Sequence, residues 1–253
     1  MCIRDRRYSS PGSVTDAEAL ATNLGIDLQI ASIEPAHEAF AELLSPVLGA
    51  LPGGLTDENL QSRIRGVVLM AVSNARPGWI VLTTGNKSEL AVGYSTLYGD
   101  SAGGFAVIRD VPKTLVYRLC RYRNALAGRD LIPLSVLEKP PSAELRPDQR
   151  DDDSLPGYDV LDPLLAGLVE EDESVAELIS AGADPAMAER VARLVDMAEY
   201  KRRQSPPGVR ITARAFGKDR RMPITNRFHD GGPSHGAPTD AVGTDVILSL
   251  IHI

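Results

Sequence analysis

Residues 80–90 read IVLTTGNKSEL: an apolar run ends in Thr83-Thr84-Gly85-Asn86-Lys87-Ser88-Glu89. Hydroxyls, a glycine, a lysine and a carboxylate at the end of a strand can do chemistry. In open α/β sheets, ligands sit beyond the carboxyl ends of strands, where helix N-termini favour an anion. Thr84 could hydrogen-bond a nucleotide there, and Glu89 could hold a hard cation such as Mg²⁺ through oxygen. The same letters have a purely structural reading, since Asn86 followed three residues later by Glu89 spells a capping box. The segment alone leaves both open.

Two further stretches carry candidate groups. On a helix through ENLQSRIRG (58–66), Asn59, Arg63 and Gly66 share the side opposite an apolar stripe. That side suits a flat or phosphate-bearing ligand, or else is a solvated face. Gly93–Phe105 (GYSTLYGDSAGGF) mixes glycines, which permit close backbone approach, with Tyr94 and Tyr98, which offer stacking surfaces. A long structural loop has the same composition. Lys201-Arg202-Arg203 reads as last-turn cations answering a helix dipole, and Ser142 as the cap of a turn.

The elements that must position these groups alternate. A helix opens at Thr15 and stops at Gly25, and Asp27–Ile33 is strand-like. A helix over 36–50 carries Phe40, Leu43, Leu44, Val47 and Leu48 as its core stripe. The next, over 56–73, carries Leu60, Ile64, Val67, Val68 and Ala71. Trp79–Leu82 reads as a strand covered on both faces. A helix spans Val111–Leu126, residues 142–159 form an exposed acidic loop, and helical segments follow at 159–169 and 173–181. The last helix opens at Asp184-Pro185. Strands alternating with helices imply an α/β layer fold with a parallel sheet.

Composition bounds the rest. With 253 residues, 43% hydrophobic and 24% charged, the chain is ordinary for a globular protein. A net charge of −7 weighs against nucleic-acid binding, no apolar stretch suits a membrane span, and two cysteines without a metal-like spacing fit a reducing, cytoplasmic setting. The ends, 1–6 and 229–253, are expected to be disordered or non-native.

Taken together, RYSS (7–10), DAEALATNLGI (16–26), ENLQSRIRG (58–66), LTTGNKSELAVGYSTLYGDSAGGFAVIRDVPKTLVYRL (82–119), KPPSAELRPDQ (139–149), DSLPGYDVLD (153–162) and EYKRRQSPPGVRIT (199–212) resemble the synthetase domain of glutamine-dependent NAD⁺ synthetases. GKDRRMPITNRF (217–228) is similar to that family's C-terminal segment. The likeness covers residues 7–228.

The resemblance implies a doubly wound parallel sheet of the adenine nucleotide alpha hydrolase-like, N-type ATP pyrophosphatase kind, with a helical C-terminal arm. It implies that ATP and Mg²⁺ adenylate the nicotinate carboxylate of deamido-NAD⁺, and that ammonia from a nitrilase-like glutaminase domain then displaces AMP. By position, Thr84, Lys113 and Ser142 stand where the family contacts ATP, and Glu89 stands at the metal. Lys113 and Glu89 would be the catalytic pair. Asn59, Arg63, Glu89, Tyr94 and Lys201 stand where it contacts deamido-NAD⁺, Lys201 reaching a neighbouring subunit of a dimer. No nucleophilic side chain is needed, because the substrate carboxylate attacks phosphorus while the protein positions anions and neutralises charge.

One departure matters. The family's first strand and its SGG-D-S phosphate loop have no counterpart in the chain, and neither has the glutaminase domain. The resemblance therefore implies an N-terminally truncated domain with little activity and an uncovered hydrophobic sheet edge. The alternatives are another ATP-pyrophosphatase ligase, and a non-catalytic nucleotide-binding or dimerisation module.

Overall fold

The computed structural model describes residues 2–4, 11–51, 53–146, 149–151 and 155–225. Arg7–Ser10, Asp152–Ser154 and everything beyond Thr225, including the tail expected to be disordered, lie outside the described residues.

The chain is α/β with parallel strands. Strand β1 (Cys2–Arg4) pairs with β2 (Ile30–Ser32), and β3 (Leu82–Thr83) pairs with β4 (Phe105–Ala106), both in parallel. Within the end expected to be disordered or non-native, Cys2–Arg4 forms a strand, and Ile3 lies in register with Ala31. Among the described residues the expected single sheet is present as two separate two-stranded parallel pairs. The strand expected over Trp79–Leu82 is shorter and is not covered: Trp79, Ile80 and Leu82 are exposed, as is Ile30 of β2.

Helices connect the strands. α1 (Pro11–Leu24) begins earlier than expected, at a proline, which suits a first turn because its missing N–H has no partner there anyway. α2 (Glu34–Leu48) and α3 (Leu55–Ala75) form the next pair. His37 is buried between them, with Nε2 2.7 Å from Asp57 Oδ1. The stripe expected to be core on α2 instead faces outward, with Leu43 69% and Val47 79% exposed; on α3, Ile64 is buried and Val67 is not. Amphipathic spacing identified a face without identifying what covers it.

The second half holds the densest packing. α4 (Lys87–Val92), α5 (Lys113–Ala127) and a short α6 (Leu134–Glu138), which the spacing did not reveal, precede the arm. α7 (Tyr158–Leu165) runs into a π-helical turn (Ala166–Glu171). α8 (Val175–Ser180), α9 (Pro185–Met197) and α10 (Glu199–Arg202) follow. Asp184 caps α9 as its sequence foretold, accepting Met187 N–H at 2.8 Å. Ala91, Leu161, Val169, Val191 and Val195 are almost wholly enclosed where α4, α7 and α9 meet. The acidic loop is not simply exposed, since Asp151 and Leu155 are buried.

Residues 205–221 then cross back as an irregular arm. Ala106 N–H donates to Pro207 O at 2.8 Å, and Ala106 bridges Gly208 in parallel. A side chain at 208 would meet Ala106 O at 2.3 Å, so only glycine allows this approach.

Candidate functional site

The loop after β3 delivers its groups to the start of α4. Asn86 caps that helix: its side chain accepts Glu89 N–H at 3.0 Å, while Asn86 N–H donates to Glu89 Oε2 at 3.2 Å. The capping box is real, and it does not exclude a site, because only one carboxylate oxygen takes part. The other, Oε1, lies 3.0 Å from Lys113 Nζ. Local helix chemistry thus holds Glu89 in the rotamer that meets the lysine.

Lys113 opens α5 and is held from two sides. Its N–H donates to Ser88 Oγ at 2.9 Å, and its ammonium lies 5.3 Å from the centre of the Tyr158 ring. Asp162, from α7, serves α5 as a remote cap. It accepts Thr114 N–H at 2.8 Å and Thr114 Oγ1 at 2.6 Å, and also the Ser88 hydroxyl. Burial alone would depress the Lys113 pKa, but the Glu89 carboxylate outweighs it and the value lies above that of an ordinary lysine. The pair is a partly buried cation and anion on two helix N-termini.

Tyr158 donates its hydroxyl to Asp151 Oδ2 at 2.9 Å. Burial, then the carboxylates of Glu89 and Asp151, raise its pKa; burial and Asp151 do the same at Tyr94. Both phenols stay protonated donors at any physiological pH. The sequence contained Tyr158, Asp151 and Asp162 inside DSLPGYDVLD and its approach, yet assigned them no role. The partners of Asp162, Ser88 and Thr114, lie far along the chain, as does the Lys113 ammonium over Tyr158, so no spacing announced them.

The other candidates gather a short way off, around residues 93–97. Asn59 Oδ1 accepts Thr96 Oγ1 at 2.9 Å, Arg63 Nε donates to Leu97 O at 3.2 Å, and Lys201 Nζ donates to Gly93 O and Ser95 O at 2.8 and 2.7 Å, on either side of Tyr94. Lys201 was expected to reach a neighbouring subunit; within the single chain its ammonium is held by this loop. Gly66 does not receive a ligand. The backbone oxygens of Tyr98 and Gly99 fill the space a Cβ would take, at 2.8 and 3.0 Å.

Thr84 and Ser142 join neither group. Thr84 is exposed, and Ser142 Oγ accepts Glu144 N–H at 3.1 Å, the turn cap its sequence also allowed. A cavity beside Glu89, with Thr83 and Gly85 on its wall, measures about 30 Å³ and has room for a water molecule rather than a nucleotide.

A divalent cation can be tested against these donors. Among the described residues no cluster of three His, Cys, Asp or Glu side chains exists, so the protein offers no closed metal cage. Mg²⁺ commonly takes one or two carboxylates, several waters and substrate phosphates, and Glu89 fits that partial role if Lys113 yields Oε1 to the metal. Among the described residues no helix is long and apolar enough to cross a membrane.

Comparison with known proteins places the chain. The sequence model of the NAD synthase family matches residues 3–205. Glutamine-dependent NAD⁺ synthetases from Acinetobacter baylyi and Synechocystis are each 53% identical, over 219 and 225 residues, which is 87% and 89% of this chain. The chain spans about 40% of the length of either relative. Among solved structures, the glutamine-dependent NAD⁺ synthetase of Acinetobacter baumannii in complex with ADP is 46% identical, covers 88% of this chain and 40% of its own, and superposes with a TM-score of 0.52. The NMN synthetase of Francisella tularensis is 25% identical over 79% of this chain and 73% of its own, with a TM-score of 0.63. With four-fifths of its length matched, the chain belongs to the NAD synthase family.

Proposed function

We propose that the chain supplies the amide-forming part of a glutamine-dependent NAD⁺ synthetase. ATP adenylates the nicotinate carboxylate of deamido-NAD⁺, pyrophosphate leaves, and ammonia attacks the acyl-adenylate to give NAD⁺ and AMP. The observation that carries this reading is the Glu89–Lys113 pair at 3.0 Å, anchored at two helix N-termini inside the stretch that the family model matches. A lysine held as a cation there can neutralise charge as it builds on phosphorus. With Mg²⁺ bound at Glu89, the metal would screen the phosphates and Lys113 would turn to them.

In this reading Thr84 and Ser142 meet ATP, and Asn59, Arg63, Glu89, Tyr94 and Lys201 meet deamido-NAD⁺. The clustering of Asn59, Arg63, Tyr94 and Lys201 on α3, the 93–97 loop and α10 supports the dinucleotide side, and the relative solved with ADP supports the adenine nucleotide. The ammonia comes from a glutaminase domain, a second copy of the chain covers the exposed stripe of α2, and the enzyme is cytoplasmic. Turnover by this chain alone is expected to be low, because the cavity beside Glu89 must widen before a nucleotide enters.

The likeness to an NMN synthetase supplies the second reading, in which the carboxylate that is adenylated belongs to a mononucleotide. Calorimetric titration separates the two. Deamido-NAD⁺ in the presence of Mg²⁺ and ATP should bind at least tenfold more tightly than nicotinate mononucleotide, and Asn59→Ala should weaken it. Equal affinities would favour the second reading, and no binding of either would remove both.

A further inference from the structure

Away from the Glu89–Lys113 pair lies a cavity of about 540 Å³, formed between α10, Arg109 and Asp110, and the arm at 205–221. Its volume falls within the usual range for small-molecule sites. Six basic side chains line it: Arg109, Arg202, Arg203, Arg210, Lys218 and Arg221. Three acids oppose them, and each is already engaged. Asp110 pairs with Lys87 at 3.0 Å, Glu199 with Arg202 at 2.9 Å, and Asp219 with Arg210 at 3.3 Å. In a chain of net charge −7, this is a local excess of positive charge.

The wall is rigid where it is basic. Arg109 Nη1 donates to Ser205 Oγ at 2.7 Å, and Arg202 donates to Ala91 O at 2.6 Å while stacking 4.6 Å from the Phe216 ring centre. Arg203 is fixed by Glu199 at 3.0 Å and Met222 O at 2.8 Å. The turn after Phe216 closes with Gly217 N–H on Arg220 O at 3.2 Å and sets Lys218 and Arg221 at the rim. Lys218 has no hydrogen-bond or ion-pair partner among the described residues, and Arg221 commits only Nε, to Gly217 O. Val209 and Phe216 add an apolar surface.

We propose that this cavity is a second ligand site, taking a phosphomonoester of about mononucleotide size. Lys218, Arg221 and the free side of Arg203 hold the phosphate, and Phe216 and Val209 receive its apolar part. Unpartnered donors at the rim, beside arginines already fixed by Glu199 and Ser205, suit charge-assisted bonds to phosphate oxygens. A concavity of this size suits a small anion, and the acidic remainder of the chain repels a nucleic acid.

The test is calorimetric titration of the 253-residue chain with AMP and, separately, inorganic phosphate, at low salt. AMP should bind more tightly than phosphate. The double variant Lys218→Glu/Arg221→Glu, two exposed positions that leave the core intact, should weaken AMP at least tenfold. Lys113→Met, at the candidate catalytic pair, should change it less than twofold. Binding that survives the charge reversal, or that disappears with Lys113→Met, would show that AMP occupies the other site and would overturn the proposal. So would the absence of binding by either probe at millimolar concentration.

Discussion

Lys87→Met should be the most damaging single change near the candidate site, and its size can be worked out from the surrounding contacts. The ammonium is buried and reaches Asp110 at 3.0 Å, Glu170 at 2.8 Å, Thr212 Oγ1 at 2.6 Å and Arg214 O at 3.0 Å. One side chain thus ties the start of α4 to the π-helical turn and to the arm. Removing one partner of a buried ion pair costs about 3–5 kcal/mol, because the other charge stays in place uncompensated. Asp110 would keep Ile211 N–H at 2.7 Å and Thr212 N–H at 2.8 Å, and Glu170 is partly solvated, so the lower end, about 3 kcal/mol, applies. Urea unfolding followed by far-ultraviolet circular dichroism should therefore show a midpoint about 1–3 M lower. Adding Asp110→Asn, which discharges the orphaned partner, should restore at least about 1 kcal/mol. Acid titration supplies an independent sign. Hydrogen bonds from Thr212, Ile211 and Lys87 outweigh burial and hold the Asp110 pKa below an ordinary aspartate. Its stabilisation is therefore complete above about pH 4 and lost as pH falls further, so the gap between wild type and variant should narrow in acid. A loss below about 1 kcal/mol, or no recovery with Asp110→Asn, would refute the reasoning. Should Lys87→Met fail to fold, Asp110→Asn alone reads the same coupling from the other side.

Two further outcomes follow from the site. Glu89→Gln keeps a side chain competent for the capping box but removes the charge facing Lys113, so stability should change by less than about 1 kcal/mol while Mg²⁺-dependent ATP binding falls at least tenfold by calorimetry. In the wild type the raised Lys113 pKa makes the pair stabilising at neutral pH, and that contribution should fade only above about pH 10.4 as the lysine deprotonates. Gly66→Ala should cost about 1–3 kcal/mol in the same urea assay, because its Cβ meets fixed backbone oxygens of Tyr98 and Gly99 at 2.8 and 3.0 Å; a neutral result would mean that this loop moves freely away from α3.

Features closed within one turn of chain were readable from the letters. The Asn86–Glu89 capping box and the Asp184-Pro185 start of α9 depend on residues three apart, and both form as written. The stretches from Asn59 to Lys201, taken in order, likewise sufficed to mark the family, whose model matches residues 3–205. Periodicity located α2 and α3 but could not say which faces would be enclosed. An apolar stripe records a preference for burial, and Leu43 and Val47 remain exposed because no described element packs over them.

What tertiary structure alone decided is every partnership across long stretches of chain. Lys113 meets Glu89 because α4 and α5 bring their N-termini together, and Asp162 caps α5 from forty-eight residues away. Asp151 is buried despite its acidic surroundings, Gly66 is filled by backbone instead of ligand, and the basic cavity exists only because the arm folds back over Arg109 and α10. Residue types and spacing record which groups the chain carries. Which of them share a low-dielectric space depends on packing between distant segments, and there the strength of each charge and hydrogen bond is set.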